Sequence, residues 1–266
     1  MSIAVRPRLV ALTTLTALTL AGCSGPVGSS PPDAGSVEVP ELGACRVLVP
    51  ADIGKPVDDS DVVPCTKLHT AETFAVGELP ADLRDAPYDD RRLGAFAYDR
   101  CSAAYGKFLG ATESIALRTL LSWAWFRPTK EAWADGARWY RCDVVGGDED
   151  SEQLIDLPRT AKGVMLPAPP DAFMACVDAA DVVGAPRIPC DRPHQWRAVT
   201  TIKVGEPDEA YPGDRLVEVT TRDYCSTSVS AWLDYPPTYT FAYTWFHEAE
   251  WEAGNRLSVC WARTEG

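Results

Sequence analysis

Two segments of the chain combine residues able to bind a metal or move a proton. One reads PCTKLH from Pro64 to His69, the other PCDRPH from Pro189 to His194. Each sets a cysteine four residues before a histidine and then runs into an apolar-alternating stretch. Three kinds of chemistry use such a pair. Cys65, His69, Cys190 and His194 together have the composition of a Cys2His2 zinc site. A histidine beside a carboxylate can act as a general base, and Glu72 follows His69 by three residues, whereas Arg197 holds that place after His194. The third use is structural: the cysteine closes a disulfide and the histidine hydrogen-bonds the backbone at a turn.

The N-terminus bears on this choice. Arg6 and Arg8 precede an apolar stretch, Leu9 to Leu20, whose 12 residues are too few to span a bilayer comfortably. It runs into Leu20-Ala21-Gly22-Cys23, which resembles the bacterial lipobox in position, apolar run and small residues. That resemblance implies a lipoprotein signal peptide over residues 1–22 and diacylglycerol on Cys23. It places the protein at the cell membrane, lipid-anchored on the extracytoplasmic face. Each buried methylene contributes about 0.8 kcal/mol, so two acyl chains hold where one does not. Residues 23–41 are rich in Gly, Ser and Pro and read as a flexible tether. Loss of Arg6 and Arg8 with the leader moves the formal charge from -13 to -15. So acidic a chain is not expected to bind nucleic acid.

Of nine cysteines, Cys23 belongs to the lipobox, and the remaining eight form an even set in an exported chain. Disulfides are their expected state. A bridging sulfur is a poor zinc ligand, so neither a metal nor a cofactor is expected. The chain contains no G-x-S-x-G and no H-E-x-x-H, and His247 stands alone. The expectation is a non-enzymatic protein, with His69, Glu72 and His194 as candidate binding residues. The alternative is an envelope enzyme or metal-binding protein that uses His69 and Glu72.

The eight cysteines divide into Cys45, Cys65, Cys101, Cys142 and Cys176, Cys190, Cys225, Cys260. Flanking residues match as well: Ala44-Cys45 with Ala175-Cys176, Cys101-Ser102 with Cys225-Ser226, Trp125-Phe126 with Trp245-Phe246. The longest match is Trp133-x2-Gly136-x-Arg138-x3-Cys142 with Trp251-x2-Gly254-x-Arg256-x3-Cys260. The chain is a tandem duplication, with repeats over 42–146 and 172–266. Between them, 147–171 is acidic and then proline-rich and reads as a linker with one short ordered piece, Leu154 to Leu157.

Each repeat predicts the same elements. A short strand surrounds the first cysteine, the Pro-Cys-x3-His turn follows, and then a strand over Glu72 to Leu79 or Trp196 to Val204. A helix ends near the third cysteine, with Leu93, Ala97, Cys101, Ala104 and Phe108 at helical spacing and Asp89 and Asp90 at its positive end; in the second repeat it runs from about Gly213 to Leu233, with Leu216, Val219, Val229 and Trp232. A hairpin closes the unit. Its first strand alternates Tyr239, Phe241, Tyr243, Trp245 against Thr240, Ala242, Thr244, as Leu121, Trp123, Trp125 do in the first repeat. The aromatic face has two readings, a glycan platform or the core against the helix, and core is expected. Gly136 and Gly254 suit a turn, and Arg138 and Arg256 a solvated surface or pairing with nearby carboxylates. The fold class is α+β: two tandem disulfide-stapled domains, each a mostly antiparallel sheet packed on one helix. Four cysteines allow three pairings per repeat. The pairing expected is Cys45–Cys65, Cys101–Cys142, Cys176–Cys190 and Cys225–Cys260, which ties helix to sheet and first strand to turn.

These motifs are similar to the septum formation domain of actinobacterial membrane proteins and lipoproteins. The carriers are Val63-Pro64-Cys65-x3-His69-x2-Glu72, Cys101 and the Trp-Gly-Arg-Cys motif, with their second-repeat counterparts. Arg197 departs from the pattern, which favours an acid there. The resemblance implies association with the cell envelope and with septation, and no known reaction. The partners expected are the membrane, through the lipid anchor, and an envelope protein or cell-wall glycan.

Overall fold

Period-two and helical apolar spacings become strands and helices in the same order in both halves of the chain. The computed structural model describes residues 33–148, 151–206 and 208–264. The leader, Cys23 and the tether up to residue 32 lie outside the described residues; residues 33–41, expected to belong to the tether, instead pack on repeat one, with Ala34 buried, its carbonyl accepting from the Thr129 N–H at 2.9 Å and the Ser36 carbonyl from the Trp139 indole at 3.0 Å. The first repeat comprises β1 (Cys45–Arg46), α1 (Pro50–Ile53), β2 (Val62–Val63), β3 (Ala71–Glu78), α2 (Ala81–Arg84), α3 (Arg91–Leu109), α4 (Glu113–Ala116), β4 (Ser122–Phe126), α5 (Lys130–Ala134) and β5 (Trp139–Val145). The second comprises β6 (Ala175–Val177), β7 (Ile188–Pro189), β8 (Trp196–Lys203), α6 (Asp214–Trp232), β9 (Phe241–Thr244), α7 (Glu248–Ala253) and β10 (Leu257–Arg263).

Each repeat forms a five-stranded antiparallel sheet, in the orders β2-β1-β3-β5-β4 and β7-β6-β8-β10-β9. The fold is therefore the expected α+β pair of sheets, one long helix lying on each. Helix α3 starts where Asp90 accepts the Arg92 N–H at 2.9 Å and ends at Gly110, in the left-handed conformation at φ 70°. Its buried face is Leu93, Ala97, Cys101, Tyr105 and Leu109. Cys101 sits near the middle of α3, not near its end as expected, because the apolar face continues for two turns beyond it; α6 spans the expected residues, with Cys225 near its middle. The four disulfides join Cys45–Cys65, Cys101–Cys142, Cys176–Cys190 and Cys225–Cys260, the expected pairing. Two of them stitch helix to sheet.

Strand register corrects one sequence match. Trp125 pairs with Cys142 and Tyr243 pairs with Cys260, so Trp125 corresponds to Tyr243, not to Trp245. The shared Trp-Phe pair was two residues out of step. Burial is also distributed differently from the expectation. The aromatic stripe (Trp123, Trp125, Phe241, Tyr243) is half-buried against the helix side. In the first repeat the opposite face is more deeply covered, by Leu48, Ala124, Phe126 and Val145. Both faces of that sheet are therefore core.

Residues 151–171 join the two repeats, and they also complete the first. Leu157, Ala161 and Met165 are buried in the cluster that holds Phe74, Cys101, Tyr105 and Val144. Backbone N–H groups of Gly163 and Met165 bond the carbonyls of Phe108 and Leu109 at 2.7 and 3.0 Å, satisfying the end of α3. The repeats also pair directly: Leu120 N–H bonds Phe173 carbonyl, and Ala175 N–H bonds Arg118 carbonyl, both at 2.8 Å. Residues 31–266 accordingly form one compact unit. Among the described residues, no helix is long and apolar enough to cross a membrane.

Candidate functional site

The Pro-Cys-x3-His segments form the same turn twice. His69 Nδ1 lies 2.8 Å from the Lys67 carbonyl, and His194 Nδ1 lies 2.7 Å from the Arg192 carbonyl. A carbonyl accepts only, so Nδ1 carries the proton in both. The cysteines of both segments are bonded to the first strand of their repeat, so their sulfurs are not thiolates. The four residues of the hypothetical zinc set are thus committed to two separate turns. What differs is exposure: His69 is 1% exposed, while His194 is half-buried.

Glu72 and Arg197 explain that difference. They occupy one sheet position, since Glu72 pairs with Cys45 and Arg197 with Cys176. Glu72 is 5% exposed and both its oxygens hold the linker: Oε1 accepts from the Thr160 hydroxyl at 2.8 Å, Oε2 from the Ala161 N–H at 2.7 Å. Leu157 N–H adds a bond to the His69 carbonyl at 2.9 Å. The linker therefore runs through a groove of repeat one, over His69 and Glu72. These two residues are brought to one groove, but each is engaged by backbone or linker.

In repeat two the counterpart groove is an open cleft of about 540 Å³ between the repeats. His194, Arg197, Val199, Trp232 and Thr264 line it from repeat two, Ile115 and Arg118 from repeat one, and Pro169 from the linker. Trp232 is 48% exposed. Arg197 donates to Asp171 at 2.5 Å, and this bond holds the Asp171 carboxyl below the usual range. Arg118 Nε bonds the Ser114 carbonyl at 2.9 Å. Burial, and then the charge of Arg197, lower the Arg118 pKa from its ordinary value. Two guanidinium groups thus share one cleft in a chain whose overall charge is -13. Arg118 carried no signal in the sequence, because its place depends on contacts between the repeats.

The sequence reading also missed a buried charge cluster on the far face of the first sheet. Arg46, Asp58, Arg141 and Asp143 are 2, 7, 1 and 0% exposed. Arg141 donates to Asp58 and lies 3.0 Å from Asp143, while Arg46 lies 3.7 Å from Asp58. Thr73 links the network, accepting from Arg46 at 2.9 Å and donating to Asp143 at 2.7 Å. Repeat two fills the corresponding positions with Val177, Ala198, Val259 and Trp261, an apolar cluster. Arg138 and Arg256 depart from expectation in another way. Each folds back on its own motif. Arg138 lies 4.2 Å over Trp133 and donates to the Trp133 carbonyl at 2.7 Å. Arg256 lies 3.4 Å over Trp251 and donates to the Trp251 carbonyl at 2.5 Å. Gly136 and Gly254, at φ 102° and 110°, turn the chain between them.

A family model described as septum formation matches residues 42–260. No curated protein and no solved structure matches the chain.

Proposed function

The chain belongs to the septum formation family, and from that premise we propose a non-enzymatic, lipid-anchored envelope protein that binds a partner through the cleft between its repeats. The observation that carries this reading is the engagement of the candidate reactive groups. Cys65 and Cys190 are in disulfides, His69 and His194 bond turn carbonyls, and both oxygens of Glu72 hold the linker. A general base needs a substrate or water within reach of a free lone pair and an oriented partner. Both Glu72 oxygens are bound by the linker, and His69, 1% exposed, keeps its unpartnered Nε2 shut away from a substrate, which tells against the His69–Glu72 alternative. The open cleft gathers cations, an exposed tryptophan and apolar walls, a lining suited to binding.

Anchoring through Cys23 follows from the lipobox-like Leu20-Ala21-Gly22-Cys23. It sets the cleft on the extracytoplasmic side of the cell membrane. Detergent phase partition tests the anchor. Wild type partitions into the detergent phase and Cys23→Ala into the aqueous phase; equal partitioning of the two contradicts the anchor. The binding reading is tested by assaying hydrolysis of cell-wall and peptide substrates with wild type and His69→Ala. Turnover that disappears in a folded His69→Ala variant contradicts it.

A further inference from the structure

The two grooves are the same groove, filled once by the chain itself. In repeat one the linker contacts His69, Glu72 and Phe108 through hydrogen bonds, and its apolar side chains pack beside Phe74. Their counterparts in repeat two are His194, Arg197, Trp232 and Val199, and all four line the cleft. Phe74 and Val199 both sit at the bulge of their strand. The internal duplication therefore displays the kind of occupant this groove accepts: a short peptide with apolar side chains, which turns at Ala161–Leu166 where the Val164 and Leu166 N–H groups bond the Ala161 and Gly163 carbonyls. The sequence changes one element of that recognition. Where Glu72 accepts a hydroxyl and an N–H, Arg197 presents donors and positive charge, and Arg118 adds a second cation from the other repeat.

We infer that the cleft of repeat two docks a short apolar peptide segment of a partner protein, with one carboxylate seated between Arg118 and Arg197. The inference rests on the cleft being the binding surface. Guanidinium groups pair with carboxylates through two parallel hydrogen bonds, a geometry that a neutral amide of the same shape does not reproduce. Asp171 already takes part of the capacity of Arg197, so Arg118 is the cation more open to a ligand. Apolar parts of the segment lie along Val199 and Trp232, as linker side chains lie along Phe74 and Phe108. At one end the paths differ. A side chain at Gly146 would collide with the Ile155 carbonyl, and Thr264 stands at the matching place in repeat two. The docked segment therefore corresponds to linker residues 157–165 and not to those before them.

The test uses the full-length protein in detergent micelles and two synthetic nonapeptides. Both have the sequence of residues 157–165, one with Thr160→Asp and the other with Thr160→Asn. Isothermal titration is expected to show the acidic peptide binding at least tenfold more tightly, with the preference lost in Arg118→Gln and weakened in Arg197→Gln. Trp232→Ala, which leaves both charges in place, is expected to weaken both peptides alike, and thermal melting identifies any variant that has not folded. Equal affinity for the two peptides overturns the inference, as does an acid preference that survives in Arg118→Gln. Binding of glucuronic acid with neither peptide bound overturns it in favour of an acidic glycan. Cys23→Ala leaves the titration unchanged, so a failure of the anchor is distinguishable from a failure of the cleft.

Discussion

Arg141 and Asp143 are almost wholly removed from water, and their cost is set by how completely the cluster is paired. Desolvation and, next, the nearby Arg141 lower the Arg46 pKa from its ordinary value. Removing one member leaves a buried charge without its counter-charge, so Arg141→Met is expected to lose about 3–5 kcal/mol in guanidinium denaturation. Repeat two shows the apolar solution at the positions of Arg46, Thr73, Arg141 and Asp143, which Val177, Ala198, Val259 and Trp261 fill. Replacing Arg46, Asp58, Arg141 and Asp143 together with apolar residues of similar volume is therefore expected to cost far less than the single change. A single variant as stable as wild type would contradict this. Asp171 gives a pH-dependent case. Its carboxyl is held below the usual range by the bond from Arg197, so the folded value lies under the unfolded one. The pair's stabilisation is present above about pH 4 and fades as pH falls through the folded value. The Asp171 side chain is 51% exposed, so the effect amounts to under about 1 kcal/mol. Carbon-detected NMR titration is expected to show the Asp171 pKa rising toward its ordinary value in Arg197→Gln; no movement would remove Arg197 as the cause.

At the scale of elements, two kinds of staple hold each repeat. Cys101–Cys142 and Cys225–Cys260 are wholly buried between helix and sheet, whereas Cys65 is half-exposed beside its turn. Mild reductant under native conditions is expected to open Cys45–Cys65 before Cys101–Cys142, read by mass spectrometry of alkylated peptides; the reverse order would contradict the burial argument. In the chain-entropy view the 41-residue separation of Cys101 and Cys142 contributes about 4 kcal/mol, and the 14-residue separation of Cys176 and Cys190 about 3 kcal/mol. The linker is the third staple. Glu72→Ala removes its two anchoring bonds and is expected to release on the order of 2 kcal/mol of local stability. Trypsin cleavage after Arg159 and Lys162 should then quicken roughly 30-fold; an unchanged rate would mean the linker is held by its apolar side chains alone. Cysteine parity, the helical spacing around Cys101 and the alternation before Trp245 made these elements legible in the sequence. The linker was legible only as one short ordered piece ending at Leu157, because Pro158 and Gly163 interrupt the four-residue spacing of Leu157, Ala161 and Met165. The buried charge cluster was not legible, since Asp58 meets Arg141 across a sequence separation of 83 residues.

The whole molecule is a duplication whose halves have diverged at their shared groove. Repeat one closes its groove with the linker, and repeat two leaves it facing Arg118 of its neighbour. The turn chemistry that first drew notice, a cysteine and a histidine four residues apart, builds the floor of both grooves. Its local form could be anticipated from either copy alone. The cleft could not, because it needs both repeats and the path of the chain between them. The chain belongs to the septum formation family; the tethered binding body is the proposal that the lipobox-like leader and the cleft support. The most direct measurement is site-specific photo-crosslinking in living cells, with a benzophenone amino acid in place of Trp232 in the cleft or of Leu68, which is 75% exposed on the first turn. The account predicts a discrete protein adduct from position 232 that disappears when Arg118→Gln is added, and no such adduct from position 68. The same adducts from both positions, or an adduct at 232 indifferent to Arg118, would contradict it.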